Sequence, residues 1–414
     1  MPKAILVAIQ NGNENINYSF DEMANLAKEC DIEVIGRVVQ KGKINPKTYI
    51  GLGKLEELIV DVKLDNPDYV IFNDELSPLM LKNLNDAIPC QILDRSLVIL
   101  DIFLRHAKTR EAKLEIELAH LKYLLPRLSS LRDGFDRQGG VGSKGSGEKQ
   151  IELDRRKISS DILRIERELA EIHKMKDTQI AKRKKNMIKT VALVGYTNAG
   201  KSSTMNTLLN YVNESKDKNV LAENRLFATL QTSVRQLEYQ NVKFLLSDTV
   251  GFVSKLPTLL IHSFNETLAE VCEADLILHV LDISSDFALE QFSVTMNVLK
   301  ALGVDENKIL VLLNKTDLCE NIPRVAGANF MAFSNKSGLN VKSVLDYIKE
   351  KITDDYLPLS IRIPYSDAKI LNFVIENTNI ISKLYEPDGI SIELLCPKRY
   401  LSRIISYQIN STVS

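Results

Sequence analysis

The sequence lacks an excess of either charge: 53 lysines and arginines stand against 54 aspartates and glutamates, for a formal net charge of −1. Such a chain is no polycation, so any contact with nucleic acid must come from a local basic patch. Cysteine is sparse. Cys30, Cys90, Cys272, Cys319 and Cys396 are odd in number and contain no C-x-x-C pair, which reads as scattered buried thiols in a reducing cytosol. No segment approaches the ~20 apolar residues of a membrane span, and the opening "MPKAILVAIQNGNEN" has no signal-peptide core. These absences predict a soluble, cytoplasmic protein. The histidines (His106, His120, His173, His262 and His279) show no metal-ligand spacing and are assigned no role.

What remains is a chain of 414 residues, long enough for two or three domains. Over 1–95, short apolar runs at 4–9, 32–40, 69–73 and 90–94 read as strands, and 20–29, 53–63 and 77–86 read as helices. Their alternation predicts a small α/β domain with a largely parallel sheet. Next, Leu114, Leu118, Leu121, Leu125 and Leu128 keep a 4-3-4-3 spacing that Ile158, Ile162, Ile165, Leu169 and Ile172 repeat. Two such seams predict an antiparallel helical hairpin over 96–187, its glycine-rich tip at 132–150 and Pro126 ending or kinking the first helix. Residues 188–352 alternate between helix and strands apolar enough to be buried on both faces. Gln240-Asn241 marks one antiparallel hairpin in an otherwise parallel sheet. The tail, 353–414, reads as a small α+β domain with a turn at Pro387-Asp388-Gly389. The fold class is therefore multidomain α/β.

Two glycine stretches compete as phosphate binders. "GVGSKG" (Gly140–Gly145) fits G-x-G-x-x-G, but chance alone supplies that pattern in roughly one chain in ten of this length. It also lacks the preceding strand that a dinucleotide site needs. "GYTNAGKSS" is different in kind. It satisfies G-x-x-x-x-G-K-[ST], follows the buried strand "TVALV" and opens a helix, where backbone N–H groups can wrap phosphates. The expected nucleotide contacts are Gly195, Tyr196, Thr197, Asn198, Ala199, Gly200, Lys201, Ser202 and Ser203. Lys201 would reach the β- and γ-phosphates, and Ser202 would offer its hydroxyl to Mg²⁺.

Two later motifs, each at a strand end, complete a GTP-binding Ras-like domain. In "DTVG", Asp248 can hold a Mg²⁺-bound water and the Gly251 amide can sense the γ-phosphate. In "NKTD" (Asn314, Lys315, Thr316, Asp317), Asp317 can accept from N1–H and the 2-amino group of guanine, two donors that adenine lacks. "SNK" (Ser334, Asn335, Lys336) would close the base pocket. Alanine is usual where Asn335 stands; a backbone amide contact to guanine O6 survives the change, and the loop's packing is left open. Within "LFATLQTSV", Thr229, with Thr232 as the alternative, would complete Mg²⁺ coordination. Ras-type enzymes carry a water-orienting glutamine after the last DxxG residue, and here Phe252 occupies it. Intrinsic hydrolysis should therefore be slow unless a partner or the protein's own switch positions the water.

The P-loop, "LFATL" and "DTVGF" together resemble the HflX family of translation-associated GTPases. So do "YIGLGKLEEL", "ELSPLMLKNL", "ILDRSLVILDIF", "TREAKLEIELAHLKYLLPRL" and "GGVGSKGSGEKQIELDRR". The resemblance covers residues 1–352 and is weaker over the tail. It implies a monomeric, ribosome-associated GTPase that binds the large (50S) subunit, dissociates stalled or idle ribosomes when GTP-bound, and hydrolyses GTP on stimulation by the subunit. It also places the hairpin tip near the peptidyl-transferase RNA. There Gly140, Gly142 and Gly145 would allow close backbone approach while Arg132, Arg137, Lys144 and Lys149 neutralise phosphate. Asn198 would be the residue for a potassium ion beside the phosphates, a loop-stabilising amide being the alternative. The basic run Lys174–Lys185, and more weakly Lys398, Arg399 and Arg403, are further candidates for RNA contact. Three other readings stay open: a non-ribosomal RNA assembly factor, a regulator of a protein partner, and an ATP-driven remodelling NTPase.

Overall fold

The structure is a computed structural model describing residues 1–12, 15–107, 109–128, 144–186, 188–212, 233–249, 251–255, 271–319 and 329–409, with side chains in 144–186 described only over 152–175. The chain splits into two compact units. One comprises Met1–Met175, Asn224–Gln231 and Val253–Glu266; the other comprises Lys176–Glu223, Thr232–Phe252 and Thr267–Ser414.

In the first unit, β1 (Lys3–Gln10), β2 (Glu33–Lys41), β3 (Tyr69–Phe72) and β4 (Gln91–Asp94) form a parallel sheet in the order β2-β1-β3-β4. The continuous apolar run of β1 is buried from Ala4 to Ile9, as a strand covered on both faces must be. The helices are α1 (Ile16–Glu29), α2 (Leu52–Asp65), α3 (Pro78–Ala87) and α4 (Arg95–His106). α1 starts earlier than its apolar pattern suggests because the Asn15 side chain accepts from the Tyr18 amide at 3.3 Å. Ser77 caps α3 in the same way, with Pro78 in the first turn, where a missing N–H costs nothing. At the junction of β4 and α4, the buried Asp94 accepts from the amides of Leu97 and Leu76, both at 2.9 Å, and from the Tyr123 hydroxyl at 2.7 Å. Burial pushes this carboxyl above its ordinary range, and those three hydrogen bonds oppose the shift.

The hairpin is present as α5 (Arg110–Leu124) and α6 (Lys144–Asn186). Leu114 and Leu118 pack against Ile162, Ile165 and Leu169, with Leu121, Leu125, Ile158 and Ile172 around them, so both seams meet as their spacing predicts. Pro126 lies in the 3-10 turn Leu125–Arg127 that follows α5. The tip is shorter than expected. α6 begins at Lys144, so Lys144, Gly145 and Lys149 are helical in backbone rather than part of a loop. Glycine costs a helix only about 1 kcal/mol relative to alanine, a weak prior that propagation of a long helix overrides. Arg132, Arg137, Gly140 and Gly142 lie outside the described residues.

The second unit is built on β5 (Lys189–Val194), β6 (Ser233–Tyr239), β7 (Val242–Asp248), β8 (Leu276–Asp282), β9 (Ile309–Asn314) and β10 (Asn329–Ala332), with α7 (Lys201–Val212), α8 (Ala288–Ala301) and α9 (Val341–Ile352). The sheet order is β10-β9-β8-β5-β7-β6, parallel except for β6. Gln240 (φ 46°) and Asn241 (φ 66°) are both left-handed, as a two-residue turn between antiparallel strands requires. The tail adds β11 (Tyr356–Pro364), α10 (Ala368–Asn377), β12 (Asn379–Glu386) and β13 (Gly389–Pro397), with an antiparallel order of β11-β13-β12 and a core around Ile361, Ile392, Leu394 and Val374. Among the described residues, no helix is long and apolar enough to cross a membrane.

Ile165 is fully buried at the centre of the hairpin seam. Ile165→Ala should destabilise the first unit by about 2–5 kcal/mol, through lost burial and an incompletely collapsed cavity. Urea unfolding followed by circular dichroism checks this; an unshifted midpoint would show that the arms do not depend on each other.

Candidate functional site

The carboxyl ends of β5, β7, β8 and β9 deliver the motif residues to one edge of the six-stranded sheet. After β5 the chain turns at Gly195, whose φ is 147°; a Cβ there would lie 2.2 Å from the Val280 carbonyl oxygen, so only glycine fits. Asn198 is exposed and left-handed (φ 62°), a conformation that asparagine tolerates better than most residues. Lys201 opens α7 and folds back, its Nζ donating to the carbonyls of Gly195 at 3.1 Å and Tyr196 at 2.9 Å. Burial pushes the ammonium down to about 8, with the Asp248 carboxylate pulling the other way. The result is a poorly hydrated cation held inside a loop of backbone dipoles, which suits it to meet phosphate oxygens.

Beside it, the Ser202 hydroxyl donates to Asp248 Oδ2 at 2.6 Å, and Asp248 is fully buried at the end of β7. A hydroxyl and a carboxylate converging in this way are hard oxygen donors, and their chemistry fits Mg²⁺. Gly251 approaches the loop so closely that a Cβ would lie 2.8 Å from Thr197 Cγ2, 2.9 Å from Thr197 Cα and 3.0 Å from Lys201 Nζ. Phe252 is tied at both ends of its peptide unit: its N–H donates to the Gly195 carbonyl at 3.1 Å, and its carbonyl accepts from the Thr197 N–H at 2.9 Å. Its ring is buried, so Phe252 is a packing residue of the loop. It has no group that could orient water.

The boundary between the two units falls directly after Phe252, and the next residues belong to the first unit. There the Ser254 N–H donates to Glu22 at 3.1 Å and its hydroxyl bonds the same carboxylate. Arg95, only 1% exposed, pairs with Glu22, donates to Asn73 Oδ1 at 3.0 Å and to the Ser254 carbonyl at 3.2 Å. Lys255 pairs with Asp74 at 2.6 Å.

At the end of β9, the buried Asn314 donates from Nδ2 to the Ala199 carbonyl at 2.8 Å. Lys315 is left-handed (φ 62°) and pairs with Asp282 at 2.6 Å. Asp317 is exposed and accepts from the Ser334 hydroxyl at 2.6 Å, which aims its carboxylate. The loop around Asn335 is well tied: its N–H donates to Asn314 Oδ1 at 3.3 Å, and its side chain reaches Gly200 and Thr204. Lys336 is exposed beside it. Thr229 and Thr232 lie outside the described residues. Sequence reasoning missed Asp282 and Thr204. Asp282 had a signal, since "LILHVLD" ends in a carboxylate at the same sheet edge as Asp248 and Asn314. Thr204 had none, because the Asn335 amide that it accepts from comes from a distant loop.

Known proteins resemble this chain in sequence. Residues 17–104 match the family described as "GTP-binding GTPase N-terminal", residues 106–183 the "GTP-binding GTPase Middle Region", and residues 190–315 the "50S ribosome-binding GTPase". The chain is 41% identical over 397 residues to the "GTPase HflX" of Caldanaerobacter subterraneus subsp. tengcongensis, covering 94% of this chain and 90% of that protein. With the "GTPase HflX" of Escherichia coli the identity is 32% over 405 residues, covering 95% and 93%. A solved GTP-binding protein from Sulfolobus solfataricus in complex with GDP is 23% identical, with coverage of 86% of this chain and 99% of that chain and a TM-score of 0.43.

Behind the phosphate loop, β8 carries a fully buried histidine. His279 stacks on Phe292 with centroids 5.4 Å apart, and neither ring nitrogen has a hydrogen-bond partner among the described residues. Burial, with Lys201 nearby as the lesser cause, pushes its pKa down to about 3. The folded protein thus keeps His279 neutral, whereas the unfolded chain takes up a proton below about 6.5. Its contribution to stability is complete above that value and is lost as the pH falls from about 6.5 toward about 3. Thermal melts from pH 7.5 to 4.5 should show a shallower acid-side decline in His279→Leu than in the unaltered protein. Parallel declines would show that this ring does not drive the acid sensitivity.

Proposed function

The chain belongs to the HflX family of GTPases, and from that premise we propose that it is a GTP-driven switch acting on the large ribosomal subunit. Its GTP-bound form would bind the 50S subunit and separate stalled or idle ribosomes, and contact with the subunit would trigger hydrolysis. The observation that carries this reading is Phe252: the position that would orient water holds a buried ring whose backbone is committed to the phosphate loop. The motif residues would supply phosphate, metal and base contacts, and the side chain at 252 offers no group to orient water. That chemistry must enter with a partner or with the switch segment containing Thr229.

The reaction is GTP + H₂O → GDP + phosphate. Water oxygen bonds to the γ-phosphorus as the bond to the β–γ bridging oxygen breaks; the electron pair goes to GDP, and the water proton passes to the released phosphate or to solvent. Amides of the loop from Gly195 to Ser203 wrap the phosphates, Lys201 neutralises charge on the β- and γ-oxygens, and the Gly251 amide reads the γ-phosphate. Ser202, Asp248 and Thr229 would hold Mg²⁺. When bound, that ion neutralises charge developing on the phosphates. Asn198 would serve a potassium ion at the same loop. Asn314, Lys315 and Asp317, with Ser334, Asn335 and Lys336, would take the guanine. The hairpin tip and its basic flank would contact ribosomal RNA, with the protein acting in the cytoplasm.

GTP turnover measured with and without purified 50S subunits tests the reading. We expect strong stimulation, and Lys201→Ala should remove about 10²-fold or more of it, the usual effect of losing one preorganised donor to the transition state. Unchanged turnover together with absent co-sedimentation would refute the ribosomal role. Asp317→Asn should exchange guanine for xanthine nucleotides, because the amide can donate to the C2 carbonyl that replaces the guanine 2-amino group. Competition between GDP and xanthosine diphosphate reads this directly, and a retained guanine preference would remove Asp317 from the base site.

A further inference from the structure

Asn335 stands where an alanine would satisfy the backbone of the loop after β10, and its side chain makes contacts that alanine cannot. Nδ2 donates to the Gly200 carbonyl at 3.3 Å and to Thr204 Oγ1 at 3.1 Å. Both acceptors belong to the phosphate loop and the first turn of α7. Thr204, fully buried, donates its own hydroxyl to the same Gly200 carbonyl at 2.9 Å. The reverse orientation of the Asn335 amide would set its oxygen against that carbonyl, so the neighbours fix which way it points.

A second asparagine runs alongside. Asn314 holds the preceding carbonyl, Ala199, at 2.8 Å, and its Oδ1 accepts from the Asn335 N–H at 3.3 Å. Two successive phosphate-loop carbonyls are therefore each held by an amide from the base side, and the two amide residues are hydrogen-bonded to each other. Ser334, adjacent in sequence, donates to Asp317 at 2.6 Å. The residue that aims the base-reading carboxylate is thus covalently joined to the residue that grips the phosphate loop.

We propose that Asn335 is a positioning residue that fixes the spacing between the base-reading loop and the phosphate loop, so that a guanine nucleotide meets both ends of its site in register. The inference rests on the reading of Asp317 as the guanine contact. A nucleotide gains from both ends at once only if their separation is already set; otherwise binding must order one loop against the other. Guanine and β-phosphate are common to GTP and GDP, so the strut serves both equally.

The test is the release of fluorescent N-methylanthraniloyl GDP and GTP from the full-length protein, by stopped flow. Asn335→Ala should release both nucleotides about tenfold faster, the equivalent of about one hydrogen bond. Asn335→Asp should be worse than Asn335→Ala, because a carboxylate would face the Gly200 carbonyl. Thr204→Val combined with Asn335→Ala should fall short of the sum of the single effects, since the two side chains share one carbonyl. Unchanged release in Asn335→Ala overturns the proposal. So does a loss of affinity that merely follows a lowered melting temperature of the nucleotide-free variant. The xanthine exchange in Asp317→Asn reports on the base-site reading separately: its failure alone removes the premise, whereas its success with normal release in Asn335→Ala removes only the strut.

Discussion

Two backbone hydrogen bonds between Phe252 and the phosphate loop hold this site together. They prolong the pairing of neighbouring parallel strands by one bridge, Tyr196 with Phe252, beyond the sheet edge. Strand pairing is thereby carried into the site, and its spacing brings Gly251 against Thr197 and Lys201. The side chain at 252 is left with one requirement, to be apolar and fill the space beneath the loop. Hydrolytic competence and structural integrity are consequently separate at this position.

Electrostatics follow from the same geometry. Lys201, Asp248 and His279 are all buried within the second unit, where water cannot screen them and each sets conditions for the others. Lys201 is an ammonium kept short of solvent, Asp248 is the anion beside it, and His279 stays neutral chiefly because burial desolvates its ring, with the nearby Lys201 adding to the effect. A neutral, planar ring stacked on Phe292 lets the floor of the site be polar in composition and apolar in behaviour.

Much of this was legible in the sequence, because the relevant signals are local. Strands buried on both faces announce themselves as unbroken apolar runs, and the phosphate loop is a contiguous spacing between a strand and a helix. The helical seams are periodic, so both arms and their partnership could be read directly. What could not be read depends on single contacts or on distance along the chain. The start of α1 is set by one Asn15 side chain, and the start of α6 by propagation through glycines that look like loop. The grip of Asn335 on Gly200 joins residues far apart in sequence, with no periodicity to betray it. Nothing local in the sequence marks Arg95, yet it is among the most buried side chains of its unit.

That arginine bears on how such a protein can change over generations. Arg95, Glu22, Asn73 and Ser254 satisfy one another within a buried cluster whose members lie in separate parts of the sequence. Losing the carboxylate first would strand a desolvated guanidinium, a cost of about 3–5 kcal/mol that a marginally stable domain cannot absorb. Losing the arginine first would strand the carboxylate. Loss of either charged member alone is therefore costly, which ties Arg95 and Glu22 together. Where lineages differ here, they should differ at several of these positions together, so that covariation rather than invariance marks the constraint.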